Sequence, residues 1–267
     1  MAVKIKGVDV SQHNYIVDFA KVKAAGFDFA IIRCGYRGYG AAGTLVTDQL
    51  WSKNVKNAID NNMSYGVYFL TQAKTEAEAV QEAQYVLSLV KAQAVQPLYP
   101  IYVDTEYSNN NHNGRADYLS KAQRTACVKA FCQEIERQGY YAGIYASKSW
   151  FAEHLIESDL TKYDKWVAQY AVMCTYKGSY GMWQYGGSTN YLRNKKVDGV
   201  SSAACDQSYC YYDYPTIIRN NGLNGYTKAE PVPKYKINTE PMTNGDKVAI
   251  CAKLDELKIS YDVTEIK

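Results

Sequence analysis

Residues 100–107, PIYVDTEY, form an apolar stretch that ends in Asp104 and Glu106. Side chains two positions apart on a strand point to the same face, so we expect both acids in one site. Their Cα atoms would lie about 6.5–7 Å apart, and carboxylates so close cannot both ionise freely. One pKa is therefore raised, which keeps a general acid protonated near neutral pH. The alternative is a strand end that is wetted by two surface acids.

Strand-like stretches alternate with helical patterns on both sides of this segment. The predicted strands are 3–10, 27–33, 65–71, 98–106, 140–146, 165–170, 181–185 and a last one that ends near Asp206. The predicted helices are 19–25, 47–62, 75–94, 118–138 and 149–157. Such alternation favours a parallel barrel over an open sheet, but the connections after residue 157 are too short for helices. The predicted fold class is therefore α/β, a depleted (β/α) barrel of eight strands and about five helices. Catalytic groups in such barrels lie where strands end.

Asp9 lies at the end of the first predicted strand, in the stretch GVDVS at residues 7–11. It alternates with Val8 and Val10, so if the valines face the helices, Asp9 faces the barrel interior. The alternative is that Asp9 caps the turn into the first helix.

The composition excludes several classes of protein. The formal net charge of +3 is too small for a nucleic-acid footprint, and no apolar run reaches the roughly 18 residues of a membrane helix. The seven Cys are scattered without a Cys/His cluster, so we expect no metal and no cofactor. The 26 Tyr suit a groove that stacks sugar rings, although Tyr is also a common strand residue.

Together these motifs resemble the muramidases of glycoside hydrolase family 25, the lysozymes of bacteria and their phages, over about residues 3–215. The matching stretches are GVDVS (7–11), AIIRCGY (30–36), YGVYF (65–69), YVDTE (102–106), GIY (143–145), WVAQY (166–170) and MWQY (182–185). An Asp-x-Glu pattern alone is weak evidence, whereas this ordered set covers most of the predicted strands.

The resemblance implies hydrolysis of the β-1,4 bond between N-acetylmuramic acid and N-acetylglucosamine in peptidoglycan. By position, Glu106 matches the general acid, and Asp104 matches the carboxylate that orients the substrate's 2-acetamido group. That group would attack the anomeric carbon, with net retention. Asp9 matches the first-strand acid of the family. Asp206 matches the last-strand acid, although its neighbours Cys205 and Gln207 depart from the family pattern, which leaves Asp198 and then Asp213 as rivals.

Several aromatic residues at or near predicted strand ends are candidates to line a sugar groove. Tyr68 matches a site tyrosine of the family, and core packing is the alternative for the others. Arg33 would neutralise the acids or form a structural salt bridge. The predicted substrate-binding residues are Tyr68, Tyr36, Tyr107, Tyr145, Tyr170, Trp183 and Arg33.

The composition changes after residue 224. We assign the catalytic barrel to residues 1–224, a Pro-bearing linker to 225–234 and a small βαβ appendage to 235–267, with a strand at 235–239, a helix at 245–257 and a strand at 260–266. The appendage is shorter than the ~40 residues that usually fold alone, so we expect it to bind the cell wall, to pair two chains in a homodimer or to lean on the barrel.

The leading hypothesis is a cell-wall-lytic muramidase of the endolysin type. Residues 1–10 lack the apolar segment and cleavage site of a secretory signal, which predicts synthesis in the cytoplasm and action on the wall after release. The alternatives are a barrel hydrolase of another glycan such as chitin, and a non-catalytic wall-binding protein.

Overall fold

A computed structural model describes residues 4–187, 196–228 and 242–257. The chain divides into two compact units, Met1–Ala229 and Glu230–Lys267. In the second unit the described element is one helix, α7 (Asn244–Glu256), at the position of the predicted helix. The predicted strands 235–239 and 260–266 lie outside the described residues.

The first unit is built on one sheet of nine strands. In chain order these are β1 (Ile5–Val10), β2 (Phe29–Arg37), β3 (Leu45–Thr47), β4 (Ser64–Leu70), β5 (Ile101–Asp104), β6 (Ala142–Ser147), β7 (Asp164–Ala168), β8 (Met182–Gly186) and β9 (Asp206–Cys210). The order is β1-β9-β8-β7-β6-β5-β4-β2-β3, and β1 also pairs with β2. Eight strands therefore close into a barrel, with β3 added to the end of β2, which confirms the predicted fold class.

Within the described residues, six α-helices accompany the barrel: α1 (Phe19–Ala24), α2 (Trp51–Asp60), α3 (Glu76–Lys91), α4 (Lys121–Arg137), α5 (Lys148–His154) and α6 (Tyr214–Asn221). Short 3-10 helices span Gln12–Asn14 and Glu157–Leu160. Side chains cap the starts of α3 and α4, where Thr75 accepts from the Glu78 N–H and Ser120 accepts from the Gln123 N–H. Beyond the end of α4, Gly139 adopts a φ of 80°, which favours glycine.

Three features differ from the sequence-based expectation. β9 begins at Asp206 instead of ending there, and it runs antiparallel to both β1 and β8. β5 ends at Asp104, so Glu106 lies in the loop that follows. The short strand β3 and the helix α6 were not predicted. The prediction assumed that all strands are parallel, and a short connection before the last strand instead permits an antiparallel return.

The two faces of the barrel wall carry different cores. Val8, Val10 and their equivalents on neighbouring strands pack outward against the helices, as the parity of β1 predicted. Large rings fill the interior, including Tyr102 and Trp166, whose centroids lie 5.2 Å apart. Glycine makes room for them: a Cβ on Gly143 would lie 2.4 Å from the Tyr102 ring. The interior is therefore packed at one end, which leaves the opposite end for polar residues.

Candidate active site

The two acids of residues 100–107 lie at the carboxyl end of β5. Asp104 is the last strand residue, paired in register with Leu70 and Tyr145, and it is only 4% exposed. Glu106 follows in the loop and is open to solvent. Between them, Thr105 donates its N–H to the Tyr145 carbonyl, and its hydroxyl accepts from the Trp150 indole N–H at 3.4 Å. The backbone that carries both acids is thus fastened to β6 and α5.

Asp9 and Asp206 come to the same end of the barrel from β1 and β9. They are paired directly across the two strands. Because β9 is antiparallel, its first residue lies beside the last residues of the parallel strands. Asp198 lies instead in a turn that lines a separate hollow near α1, and Asp213 caps the start of α6. Of the three possible last-strand acids, Asp206 is the one beside Asp9.

Burial raises the pKa values of Asp104, Asp9 and Glu106. Asp104 and Asp9 both have a pKa well above the usual range, first through desolvation and then through a neighbouring acid, Glu106 for Asp104 and Asp206 for Asp9. Glu106 is reached by water, but protein atoms surround it on most sides, and this desolvation together with Asp206 raises its pKa to about 7. The Arg33 guanidinium opposes the rise at Glu106 and at Asp104. At neutral pH the Glu106 carboxyl is therefore partly protonated.

Gln184 on β8 connects Asp9 to two tyrosines. Its Nε2 donates to Asp9 Oδ2 at 2.9 Å, and its Oε1 accepts from the hydroxyls of Tyr145 at 2.8 Å and Tyr170 at 3.2 Å. The side chain is 2% exposed, so these partners fix its orientation. Sequence reasoning missed this residue because a neutral amide carries no motif of its own. Its position in MWQY, in phase with the interior residue Met182, was the available signal.

Arg33 forms the salt bridge that was one of its two predicted roles. Its Nε donates to Asp48 Oδ2 at 2.7 Å. Its Nη2 is buried and has no hydrogen-bond partner among the described residues, and the same holds for Asp104 Oδ1. A buried polar atom without a partner costs about 1–3 kcal/mol. These two atoms are therefore available to a ligand that enters the site.

Of the predicted aromatic residues, four lie near the acids or Arg33, and the other two pack elsewhere. Tyr68, Tyr145 and Tyr170 are close enough to the acids to interact with them electrostatically. Desolvation raises the pKa of each, the neighbouring acids add to the rise, and Arg33 opposes it at Tyr68. Tyr36 packs against Tyr39 and the Arg33 guanidinium. Tyr39 itself interacts with Asp104 and Glu106, and sequence reasoning did not select it.

Two predicted aromatic residues turn away from the acids. Trp183 has the parity opposite to Gln184, packs against Tyr185 and Tyr209 and donates its indole N–H to the Gln169 carbonyl. The Tyr107 ring stacks on the His112 ring, with 3.6 Å between the ring centroids, and it packs edge-to-face with the Trp150 ring at a centroid distance of 4.5 Å. The ring contacts described for both residues are therefore with other aromatic side chains.

The loop after β5 is held by Asp117. Its carboxylate accepts from the Ser108 hydroxyl at 2.7 Å, from the Gly114 N–H at 2.9 Å and from Gln72 Nε2 at 3.2 Å. Arg115 in the same loop forms a two-pronged ion pair with Glu78 on α3. The loop that continues from Glu106 is thus fixed to the end of β4 and the start of α3.

The described residues contain no group of three or more His, Cys, Asp or Glu side chains with the geometry to hold a metal ion. None of the helices in the described ranges is long and apolar enough to cross a membrane.

Residues 8–193 match the sequence model of the family described as Glycosyl hydrolases family 25. A probable GH family 25 lysozyme 2 of Dictyostelium discoideum is 26% identical over 145 residues, which cover 54% of this chain and 62% of that protein. The modular autolysin LytC of Streptococcus pneumoniae, solved in complex with a synthetic peptidoglycan ligand, has a TM-score of 0.66 and 26% identity, covering 78% of this chain and 47% of that chain.

A bacterial lysozyme of Streptomyces coelicolor has a TM-score of 0.60 at 21% identity, covering 79% of this chain and 94% of that chain, and so shares the fold. The chain spans less than two thirds of the length of the curated relative, at 62%, and about half of the autolysin, at 47%.

Proposed function

Because the chain belongs to glycosyl hydrolases family 25, we propose that it is an N-acetylmuramidase, a lysozyme that cleaves the β-1,4 bond between N-acetylmuramic acid and N-acetylglucosamine in bacterial peptidoglycan. Two relatives support this proposal: one is named a lysozyme, and the other was solved with a synthetic peptidoglycan ligand. The proposed partner is therefore the bacterial wall.

The observation that carries the proposal is the pairing of Glu106 with Asp104. Glu106 is open to solvent and has a pKa raised to about 7, so it is protonated in a substantial fraction of molecules at neutral pH. Asp104 lies two residues away, buried, with one carboxyl oxygen that has no partner among the described residues. The exposed, protonated Glu106 is suited to protonate a leaving group. The buried Asp104, with an acceptor oxygen that lacks a donor, is suited to orient an amide N–H.

In the proposed reaction, the Glu106 proton passes to the glycosidic oxygen as the bond from that oxygen to the anomeric carbon breaks. The carbonyl oxygen of the substrate's 2-acetamido group attacks the same carbon, and Asp104 accepts a hydrogen bond from the acetamido N–H. Water then attacks the anomeric carbon as the bond from that carbon to the acetamido oxygen breaks, and the attacking water gives a proton to the Glu106 carboxylate, which restores the acetamido group and the acid. Two inversions at one carbon give net retention.

In this proposal Asp9 and Asp206 act through the electrostatic field of their carboxylates, which raises the pKa values of the two catalytic acids. Asp206 raises the pKa of Glu106 after desolvation, and Asp9 contributes to the rise at Asp104. Gln184 holds Asp9 and the hydroxyls of Tyr145 and Tyr170 in place. Arg33 Nη2, which lacks a partner among the described residues, is the donor that we assign to a sugar oxygen or acetamido carbonyl.

The test compares wild type, Glu106→Gln and the exposed control Glu153→Gln on purified peptidoglycan and on chitin oligomers, with release of reducing ends as the measurement. The muramidase proposal predicts release from peptidoglycan by wild type and by Glu153→Gln and almost none by Glu106→Gln. Cleavage of chitin oligomers alone would favour the alternative glycan hydrolase. Binding to walls without release by any variant would favour a non-catalytic wall-binding protein.

We also propose that the biological role is wall lysis of the endolysin type, with synthesis in the cytoplasm and action after release. Expression in a bacterium with and without a co-expressed membrane pore tests this role. Lysis only with the pore supports it, whereas lysis without any pore contradicts it.

A further inference from the structure

The turn after β1 presents an aromatic ring to water from a strained backbone. Tyr15 follows the short 3-10 helix with a φ of 60° and a ψ of −110°, and its side chain is 66% exposed. Bulky residues seldom adopt a positive φ, and such conformations cost about 1–3 kcal/mol. A ring that remains in water does not offset this cost within the folded chain.

Hydrogen bonds on both sides hold this turn in place. The Ser11 hydroxyl accepts from the His13 N–H, and the Ser11 N–H donates to Asn14 Oδ1. Asn14 Nδ2 in turn donates to the Ser202 hydroxyl at 3.1 Å, and the carbonyl after Tyr15, on Ile16, accepts from the Ser201 N–H at 2.9 Å. The strained conformation is therefore imposed by the fold, as is common where strain accompanies function.

A hollow of about 450 Å³ lies beside the ring. Its lining consists of Gln12, His13, Tyr15, Ile16, Gln49, Leu50 and Lys53. A flat aromatic face next to side-chain amides matches a pyranose ring, which has apolar C–H faces and a hydroxyl edge. The hollow is open, as a site along a polymer must be.

The lining of the hollow is connected to the active site through the carboxylate of Asp48. The Gln12 N–H donates to Asp48 Oδ2 at 3.0 Å, and the same oxygen accepts from Arg33 Nε at 2.7 Å. One carboxylate thus joins the lining of the hollow to the arginine that interacts with Asp104 and Glu106.

We propose that this hollow is a distal saccharide subsite that takes an N-acetylhexosamine unit of the glycan chain, stacked on Tyr15, away from the bond that is cleaved. The inference rests on the proposed function for its substrate. It adds a binding site, with Tyr15 as a residue that favours long chains over short ones.

The first test measures kcat and KM on long glycan strands and on the shortest oligomer that wild type cleaves. Tyr15→Ala should lower kcat/KM on long strands roughly fivefold, mainly through KM, because one stacking contact is worth about 1 kcal/mol. It should leave the short oligomer unaffected. The control Tyr118→Ala, at a tyrosine that is 83% exposed, should change neither value. Equal losses on both lengths, or no loss on long strands, would overturn the subsite.

Tyr15→Gly separates binding from folding. Glycine adopts a positive φ without a Cβ clash, so this variant should unfold at a higher temperature than Tyr15→Ala. It should nevertheless show the same loss on long strands. If Tyr15→Gly recovers wild-type kcat/KM on long strands, the ring binds no sugar and the proposal fails.

A binding measurement makes failure of the subsite distinguishable from failure of the proposed function. The N-acetylglucosamine tetramer is titrated into Glu106→Gln with and without Tyr15→Ala, and NMR shifts are followed. Binding that requires Tyr15 supports the subsite even if wild type releases nothing from peptidoglycan, in which case the proposed function fails alone. Cleavage by wild type combined with Tyr15-independent binding and no chain-length effect removes the subsite and leaves the function intact.

Discussion

At the scale of single residues, Glu106 is the group on which the chemistry depends. Desolvation and then Asp206 raise its pKa to about 7, and Arg33 opposes them. A general acid works in its protonated form, so kcat/KM should fall as pH rises through about 7. Asp206→Asn removes the larger of the charge effects and should move this alkaline limb to lower pH. A limb that is unchanged in Asp206→Asn would contradict the electrostatic account.

The same raised pKa predicts a trade between stability and activity. A carboxyl with a pKa of about 7 in the folded state, against an ordinary 4.5, binds its proton more tightly when folded. The resulting loss in the free energy of unfolding is absent below about pH 4.5, grows as pH rises towards 7 and is then constant. Glu106→Gln removes this loss, so its gain in Tm over wild type should be larger near pH 8 than near pH 4. Because water screens this exposed side chain, we expect about 1 kcal/mol, or about 2 °C.

Thermal unfolding of Glu106→Gln at both pH values checks this prediction. Glu153→Gln is the matched control, since Glu153 is exposed on α5, and it should show no comparable dependence on pH. A gain in Tm that is equal at the two pH values would indicate a cause other than proton binding.

Strand parity accounts for how far single residues were predictable. Alternation along β1 predicted that Asp9 faces the barrel interior, and the spacing of Asp104 and Glu106 predicted that these two acids share a site. The structure brings all three together with Asp206, although Glu106 lies in the loop after β5 and not on a strand face. Applied to MWQY, the same rule turns Trp183 outward and Gln184 inward. Gln184 escaped notice because a neutral amide carries no motif of its own, and Tyr39 escaped notice because its position in a loop leaves no periodic signal.

At the scale of elements, the last strand was the least predictable part of the barrel. Its residues 206–210 were expected after the end of a parallel strand, whereas β9 starts there and runs antiparallel. Local sequence carries little information on strand direction when the connection is short, because direction depends on which neighbours are free to pair. Asp206 was therefore predicted at the correct end of the barrel, although the strand was expected to end there and in fact begins there.

The interior of the barrel predicts where elements tolerate no added volume. Gly143→Ala places a methyl group 2.4 Å from the ring of Tyr102, which is fully buried beside Trp166. We expect a loss of about 1–3 kcal/mol in the free energy of unfolding. Gly40→Ala is the control, since nothing lies within 4 Å of its added Cβ, and it should be nearly neutral. Denaturant unfolding measures both, and equal stabilities would show that the interior relaxes freely.

At the scale of the whole molecule, the second unit is the part whose purpose is still a prediction. Its helix α7 exposes Val248 and Ile250, which are 63% and 43% exposed. The segment is shorter than the ~40 residues that usually fold alone, which favours a wall-binding or chain-pairing role. Deleting residues 230–267 should therefore weaken binding to purified walls or lower the mass in solution to that of a monomer. If neither wall binding nor mass changes, both roles are excluded.

The identity of the bond that is cleaved tests the account most directly. Wild type, Glu106→Gln and Glu153→Gln are incubated with purified peptidoglycan, the released fragments are reduced, and mass spectrometry identifies the new ends. A muramidase leaves N-acetylmuramic acid at the new reducing end, so we expect reduced muramic acid from wild type and Glu153→Gln and almost nothing from Glu106→Gln. New ends that carry glucosamine, or free stem peptides, would contradict the account.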